Sequence, residues 1–171
     1  PDPTILVEHR SLYQVTAPVD FGGVVERAEG ARQHRDGKDL TIITWGSTLA
    51  PSLEAAEELE RDGISAGVLD LRWLRPLDVE AIARAVTSAA GRVLVVHEAH
   101  TSGGFGAEVA ARITELHFET LTAPVQRLGT PDVRMPSAPA LQDALLPSAD
   151  RIVEAARTLV GSTPTSRVVG A

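Results

Sequence analysis

A chain of 171 residues with 43% hydrophobic and 23% charged residues has the balance of an ordinary globular protein, with room for one domain and an extension. Its formal net charge of −7 argues against non-specific binding to nucleic acid or to an anionic membrane. It has no cysteine, which excludes disulfides, a thiolate nucleophile and thiolate metal ligands, and suits a cytoplasmic setting. No stretch approaches the roughly 20 apolar residues of a membrane span. The chain opens on Pro1-Asp2-Pro3-Thr4, without a basic region or a signal-like core, and reads as a piece of a longer protein.

Ile5-Leu6-Val7 is a short apolar run that predicts a strand. From Ser11 to Asp39 there is no firm periodicity, and a loop of that length predicts an interdomain linker with some local structure. Leu40-Thr41-Ile42-Ile43-Thr44-Trp45 then reads as a buried strand. Thr48 is placed to cap a helix whose inward stripe is Leu49, Leu53, Ala56 and Leu59, with Gly63 as its stop. Ala66 to Leu71 is the next strand, and Asp78 caps a helix burying Val79, Ile82, Ala83 and Val86. Arg92-Val93-Leu94-Val95-Val96 is a third buried strand, with His97-Glu98 at its end. Gly103-Gly104-Phe105-Gly106 turns the chain into a helix that buries Val109, Ile113 and Leu116. Ala123 to Leu128 predicts a short strand, and Pro124 places it at an edge or a strand start. Proline-rich 129–147 reads as loop with a turn of helix near Leu141. Ser148 caps a last helix with Ile152, Val153, Ala156 and Leu159 inward, and 161–171 reads as a disordered tail. Alternating strands and helices predict an α/β fold: three layers, a mainly parallel sheet, helices on both faces.

The chemical motifs are weaker than the fold pattern. The dinucleotide fingerprint, started at Gly104, ends on Val109 where glycine or alanine is required. The glycines then serve close packing, although backbone N–H groups at such a turn can hold an anion. His97, Glu98 and His100 are acid–base or metal candidates, but no second ligand pair supports them; a polar strand end facing a neighbouring loop or subunit explains them better. His9, between Glu8 and Arg10, repeats the theme of a histidine beside a glutamate, and nothing in the sequence places it near His97. His34 and His117 read as solvent residues. There is no nucleophile elbow and no P-loop. Arg72, Trp73 and Arg75 form a candidate partner-docking patch, because Arg and Trp favour such surfaces. No catalytic, cofactor-binding or metal residue is assigned. The candidates are a subunit-contact or anion site at His97, Glu98, Gly103, Gly104, Phe105 and Gly106, and docking at Arg72, Trp73 and Arg75.

Several segments together resemble one family. They are Leu40-Thr41-Ile42-Ile43-Thr44-Trp45-Gly46-Ser47, then Asp70-Leu71-Arg72-Trp73-Leu74-Arg75-Pro76-Leu77-Asp78. Val95-Val96-His97-Glu98-Ala99 with Gly103-Gly104-Phe105-Gly106-Ala107-Glu108 follows, then Ala138-Pro139-Ala140-Leu141 and Leu146-Pro147-Ser148-Ala149-Asp150-Arg151-Ile152-Val153. The string resembles the transketolase-type C-terminal domain of the beta subunit of thiamine-diphosphate-dependent 2-oxo acid dehydrogenases, of the pyruvate or branched-chain type. The resemblance implies a division into a remnant of a pyrimidine-binding domain (1–14), a linker (15–38), the C-terminal domain (39–160) and a tail (161–171). It implies a parent enzyme that decarboxylates a 2-oxo acid and passes the acyl group to lipoyl groups. The implied partners are a second beta subunit, an alpha subunit and the subunit-binding domain of a lipoyl acyltransferase. Thiamine diphosphate and magnesium belong to the parent complex and are not expected to be held by this chain alone. Ser137 stands where the family commonly has an aromatic and Gln142 where it commonly has an acid. A competing expectation is a stand-alone small-anion or nucleotide-binding α/β domain using the Gly103–Gly106 turn.

Overall fold

Continuous β-branched runs need cover on both faces, and the structure gives it to them. The computed structural model describes residues 8–16 and 30–161, together with 3, 5, 18 and 22. Strands β2 (Leu40–Thr44) and β3 (Ala66–Asp70) are buried throughout, and β4 (Val93–His100) is buried through its first five residues. β2 pairs in parallel with β3 on one side and β4 on the other, and β4 pairs in parallel with β5 (Gln126–Thr130). An antiparallel strand β1 (Arg32–Arg35) completes the order β1-β3-β2-β4-β5. Thr44 stands opposite both Asp70 and Val96, so the carboxyl ends of the three central strands are level.

Side chains alternate across the sheet, and each set meets its own helices. Ile42, Val68, Leu94 and Val96 pack with Leu59 of α1 (Leu49–Arg61) and with Ile152, Val153, Ala156 and Leu159 of α5 (Ala149–Gly161). Ile43, Leu69, Val93 and Val95 pack with Ile82 and Val86 of α2 (Val79–Ser88) and with Val109 and Ile113 of α3 (Phe105–His117). The three-layer α/β architecture is therefore as the strand–helix alternation predicts. Among the described residues no helix is long and apolar enough to cross a membrane.

Several local expectations change. The stretch read as linker contributes β1, whose polar side chains are tolerated because it is an edge strand with one open side. β4 does not end at Val96 but runs to His100, because β5 offers backbone partners further along: His100 stands opposite Thr130, and Thr101 N–H donates to Thr130 O at 3.0 Å. β5 itself lies a few residues later than predicted, after Pro124 rather than across it, and it is an edge. Thr48 does not cap α1 through its side chain. A short 3-10 turn (Gly46–Thr48) precedes the helix, and the Thr48 hydroxyl instead meets Thr44 Oγ1 at 2.7 Å and Trp45 O at 2.9 Å. Leu116, expected inward, is 51% exposed, and the buried residues of α3 are Gly106, Val109 and Ile113. The turn near Leu141 is a short helix α4 (Pro139–Asp143). The predicted strand at 5–7 falls largely outside the described residues, as does the tail from 162 onward.

Candidate functional site

In a parallel sheet, ligand crevices form at the carboxyl edge where successive crossovers leave in opposite directions. Here that point is between β2 and β4, because the chain goes from β2 to β3 on one side and returns to β4 on the other. The crevice is filled by the protein's own rings. Trp45, just past β2, stacks on His97 of β4 with centroids 5.2 Å apart and planes at 16°. Phe105, opening α3, meets Trp45 edge-on at 6.1 Å. His97 is 1% exposed, and neither ring nitrogen has a hydrogen-bond partner. Burial holds its imidazole below the ordinary histidine range, and the charge of Arg127 on β5 adds to that.

The glycine pattern has its explanation here. A Cβ on Gly106 would lie 2.3 Å from His97 Nε2, and one on Gly104 would lie 2.3 Å from His100 O and 2.7 Å from His97 Cε1. The first turn of α3 therefore sits directly on the imidazole. Gly103, at φ 72°, supplies the left-handed turn before it.

Adjacent strand residues point to opposite faces, so His97 and Glu98 do not form one acid–base pair. Glu98 is half-buried and accepts from His9 Nε2 at 2.7 Å, and Ser11 Oγ lies 2.7 Å from His9 Nδ1. His100 donates from Nδ1 to Pro131 O at 2.9 Å. Ser102 bonds Asp132 through both its hydroxyl (2.5 Å) and its N–H (3.3 Å), which holds the Asp132 carboxyl below its usual range. These contacts tie the β4 end to the loop after β5. Among the described residues no group of three or more His, Cys, Asp or Glu is placed to hold a metal ion.

Of the second predicted cluster, only Arg75 shares a groove with the first. Asp70, closing β3, is 6% exposed; burial pushes its carboxyl up, while its bond from Arg72 N–H (3.1 Å) and the nearby His34 and Arg32 pull the other way. Arg72 adopts φ 54° and starts a tight loop that ends at Asp78, whose carboxylate caps α2 by accepting from Ala81 N–H at 2.8 Å. Arg75 on that loop faces Gly103, Gly104 and Phe105 across one groove. Arg72, the exposed Trp73, Gly106 and the buried His97 do not line that groove. Trp45, Asp70 and Arg127 were not singled out from the sequence. Only Trp45, an aromatic directly after a buried strand, carried a local signal.

The comparisons with known proteins agree with one another. Residues 29–152 match the transketolase C-terminal domain family. The chain is 41% identical over 160 residues to the 2-oxoisovalerate dehydrogenase subunit beta of Bacillus subtilis, covering 92% of this chain and 49% of that protein. It is 39% identical over 165 residues to the pyruvate dehydrogenase E1 component subunit beta of the same organism, covering 93% and 49%. It is 36% identical over 156 residues to the acetoin:2,6-dichlorophenolindophenol oxidoreductase subunit beta of Cupriavidus necator, covering 91% and 46%. The chain thus spans about half the length of these relatives. Among solved structures, a split gene transketolase described as an inactive beta4 tetramer superposes with a TM-score of 0.69 at 29% identity, over 84% of this chain and 45% of that one. A transketolase mutant from Pichia stipitis shares the fold at a TM-score of 0.53 and 19% identity, over 77% of this chain and 18% of that one.

Proposed function

The chain belongs to the transketolase C-terminal domain family, and from that membership we propose that it is the assembly domain of the beta subunit of a thiamine-diphosphate-dependent 2-oxo acid dehydrogenase. The observation that carries this reading is the match of nearly the whole chain to one half of three dehydrogenase or oxidoreductase beta subunits. The parent enzyme oxidatively decarboxylates a 2-oxo acid and transfers the acyl group to lipoyl groups. This domain contributes subunit contacts to a second beta subunit, to an alpha subunit and to the subunit-binding domain of the lipoyl acyltransferase.

The switch point of this sheet leaves no room for the parent's cofactor. Among the described residues no three or more His, Cys, Asp or Glu side chains come together around one point. The switch-point crevice, where a bound group would lie in this class of sheet, is filled by Trp45, His97 and Phe105. The competing reading, an anion or nucleotide domain using the Gly103–Gly106 turn, loses its main support once the glycines are seen to accommodate the His97 ring.

Two measurements test the assembly reading. Calorimetric titration of thiamine diphosphate with magnesium into the chain gives no binding heat, and micromolar binding would overturn the reading. Sedimentation at rising concentration gives self-association, and a monomer at every concentration would contradict the proposed beta–beta contact. A thermal-shift series with phosphate and nucleotides addresses the alternative, because a ligand at 100 times its dissociation constant adds about 2.7 kcal/mol to the stability of a domain that binds it.

A further inference from the structure

The loop between β3 and α2 and the first turns of α3 enclose an open groove of about 830 Å³ on the α2–α3 side of the sheet. Its floor is apolar, made by Leu74, Leu77, Val79 and Phe105. Its rim is charged, with Arg75 on the loop and Glu108 and Arg112 on α3. Arg75 is exposed and makes no hydrogen bond or ion pair with any described residue. Trp73, 41% exposed, stands beside it on the same loop. The loop is pinned at both ends by carboxylates: Asp70 accepts from Arg72 N–H, and Asp78 accepts from Ala81 N–H and, at 3.1 Å, from Ala31 N–H. A groove wall held in this way loses little freedom when something binds against it.

Of the rim's charged groups, Arg112 is paired with Glu115 at 3.3 Å, which leaves Arg75 as the rim arginine without an ion-pair partner among the described residues. We infer that the groove docks an acidic amphipathic segment of a partner polypeptide. An aliphatic side chain of that segment enters between Leu74, Leu77 and Phe105, and a carboxylate meets the guanidinium of Arg75. A planar guanidinium takes a carboxylate by two parallel hydrogen bonds, which fixes the segment's orientation as well as adding affinity. Glu108 repels an acid placed on the α3 side and so directs the carboxylate toward Arg75. The apolar floor is what separates this occupant from a small inorganic anion. The inference deepens the assembly reading only in taking the occupant to be another polypeptide, and it assigns the chemistry that reading leaves open.

The test is an amide NMR titration of the 171-residue chain with a short synthetic helical peptide that carries leucines on one face and glutamates on the other. The same peptide with lysine in place of glutamate is the control. The acidic peptide shifts the amides of 74–79 and 103–108, and the lysine peptide does not. Arg75→Glu, at an exposed position that leaves the rest of the spectrum unchanged, weakens the acidic peptide by about tenfold. A peptide with serine for leucine also loses binding. Equal binding of the acidic and lysine peptides would overturn the inference, and so would full affinity in Arg75→Glu. It is also overturned if inorganic phosphate or the serine peptide shifts the same amides as strongly, which would mark a small-anion site. Amide shifts that follow the chain's own concentration and resist displacement by the peptide would assign the groove to a second copy, against the inference. Self-association and cofactor titration are read separately, so failure here leaves the assembly reading standing.

Discussion

At the scale of the residue, the centre of the site is a histidine without a hydrogen bond. A buried polar group left unpaired costs about 1–3 kcal/mol, so a retained one has a specific surrounding structure to account for it. For His97 that structure is Trp45 on one face of the ring and the glycine turn of α3 pressed against its edge. Gly106→Ala sets a methyl group 2.3 Å from His97 Nε2 and is expected to destabilise the chain by about 1–3 kcal/mol in urea denaturation. The titration of the same ring has a definite sign. Burial first, and Arg127 second, hold the native imidazole below the ordinary value of 6.5. The unfolded chain therefore takes up a proton that the native chain refuses as pH falls below 6.5. Stability from this group is full above that pH and declines below it. Asp70, whose carboxyl is pushed up by burial, works in the opposite direction in the more acidic range. Comparing the chain with His97→Leu isolates the histidine: denaturant midpoints between pH 7 and pH 5 fall less steeply in the variant.

At the scale of the element, helix ends decide how the loops are aimed. α1 stops where Gly63, at φ 79°, lets its own N–H reach Glu60 O at 2.9 Å and the next N–H, of Ile64, reach Leu59 O at 2.9 Å. Asp78 was legible as a cap from its place before an apolar-periodic stretch. Its second role was not, because the Ala31 N–H it also accepts is 47 residues away. Asp78→Ala removes both bonds and is expected to cost about 1–2 kcal/mol, read as a lower urea midpoint with an unchanged slope. Thr48 shows the reverse case. Its local sequence is that of a cap, yet Thr44 and Trp45 supply nearer partners for its hydroxyl. The extension of β4 to His100 has the same origin, since a strand lasts as long as a neighbour has backbone groups to offer.

At the scale of the whole molecule, two apolar layers enclose one sheet, and their contributions differ from place to place. Leu94, fully buried among α1, α5 and the central strands, is expected to cost about 2–5 kcal/mol when replaced by alanine. Leu116→Glu, by contrast, is expected to stay within about 0.5 kcal/mol, because that side chain already faces water. Thermal or urea unfolding of the two variants side by side checks both expectations. The switch point common to such sheets is present, but Trp45, His97 and Phe105 close it, and the open groove lies one step aside, between the β3–α2 loop and α3.

The apolar pattern along the chain was enough to read a three-layer α/β fold with helices on both faces of the sheet. Period-two and period-3.6 apolar patterns are local, so β2, β3, the buried part of β4, and helices α1, α2 and α5 were legible within a residue or two. The string of motifs from Leu40 to Val153 also carried the family. Pairings between residues far apart in the chain came from the packing of the folded protein. It made His9 the partner of Glu98, set Arg75 across from the glycine turn, turned the polar stretch Arg32–Arg35 into an edge strand, and left Leu116 in water. The physical reason is the same in each case. A pattern along the chain states which side chains need burial or a hydrogen bond, while the partner that meets that need is supplied by the packing of the whole.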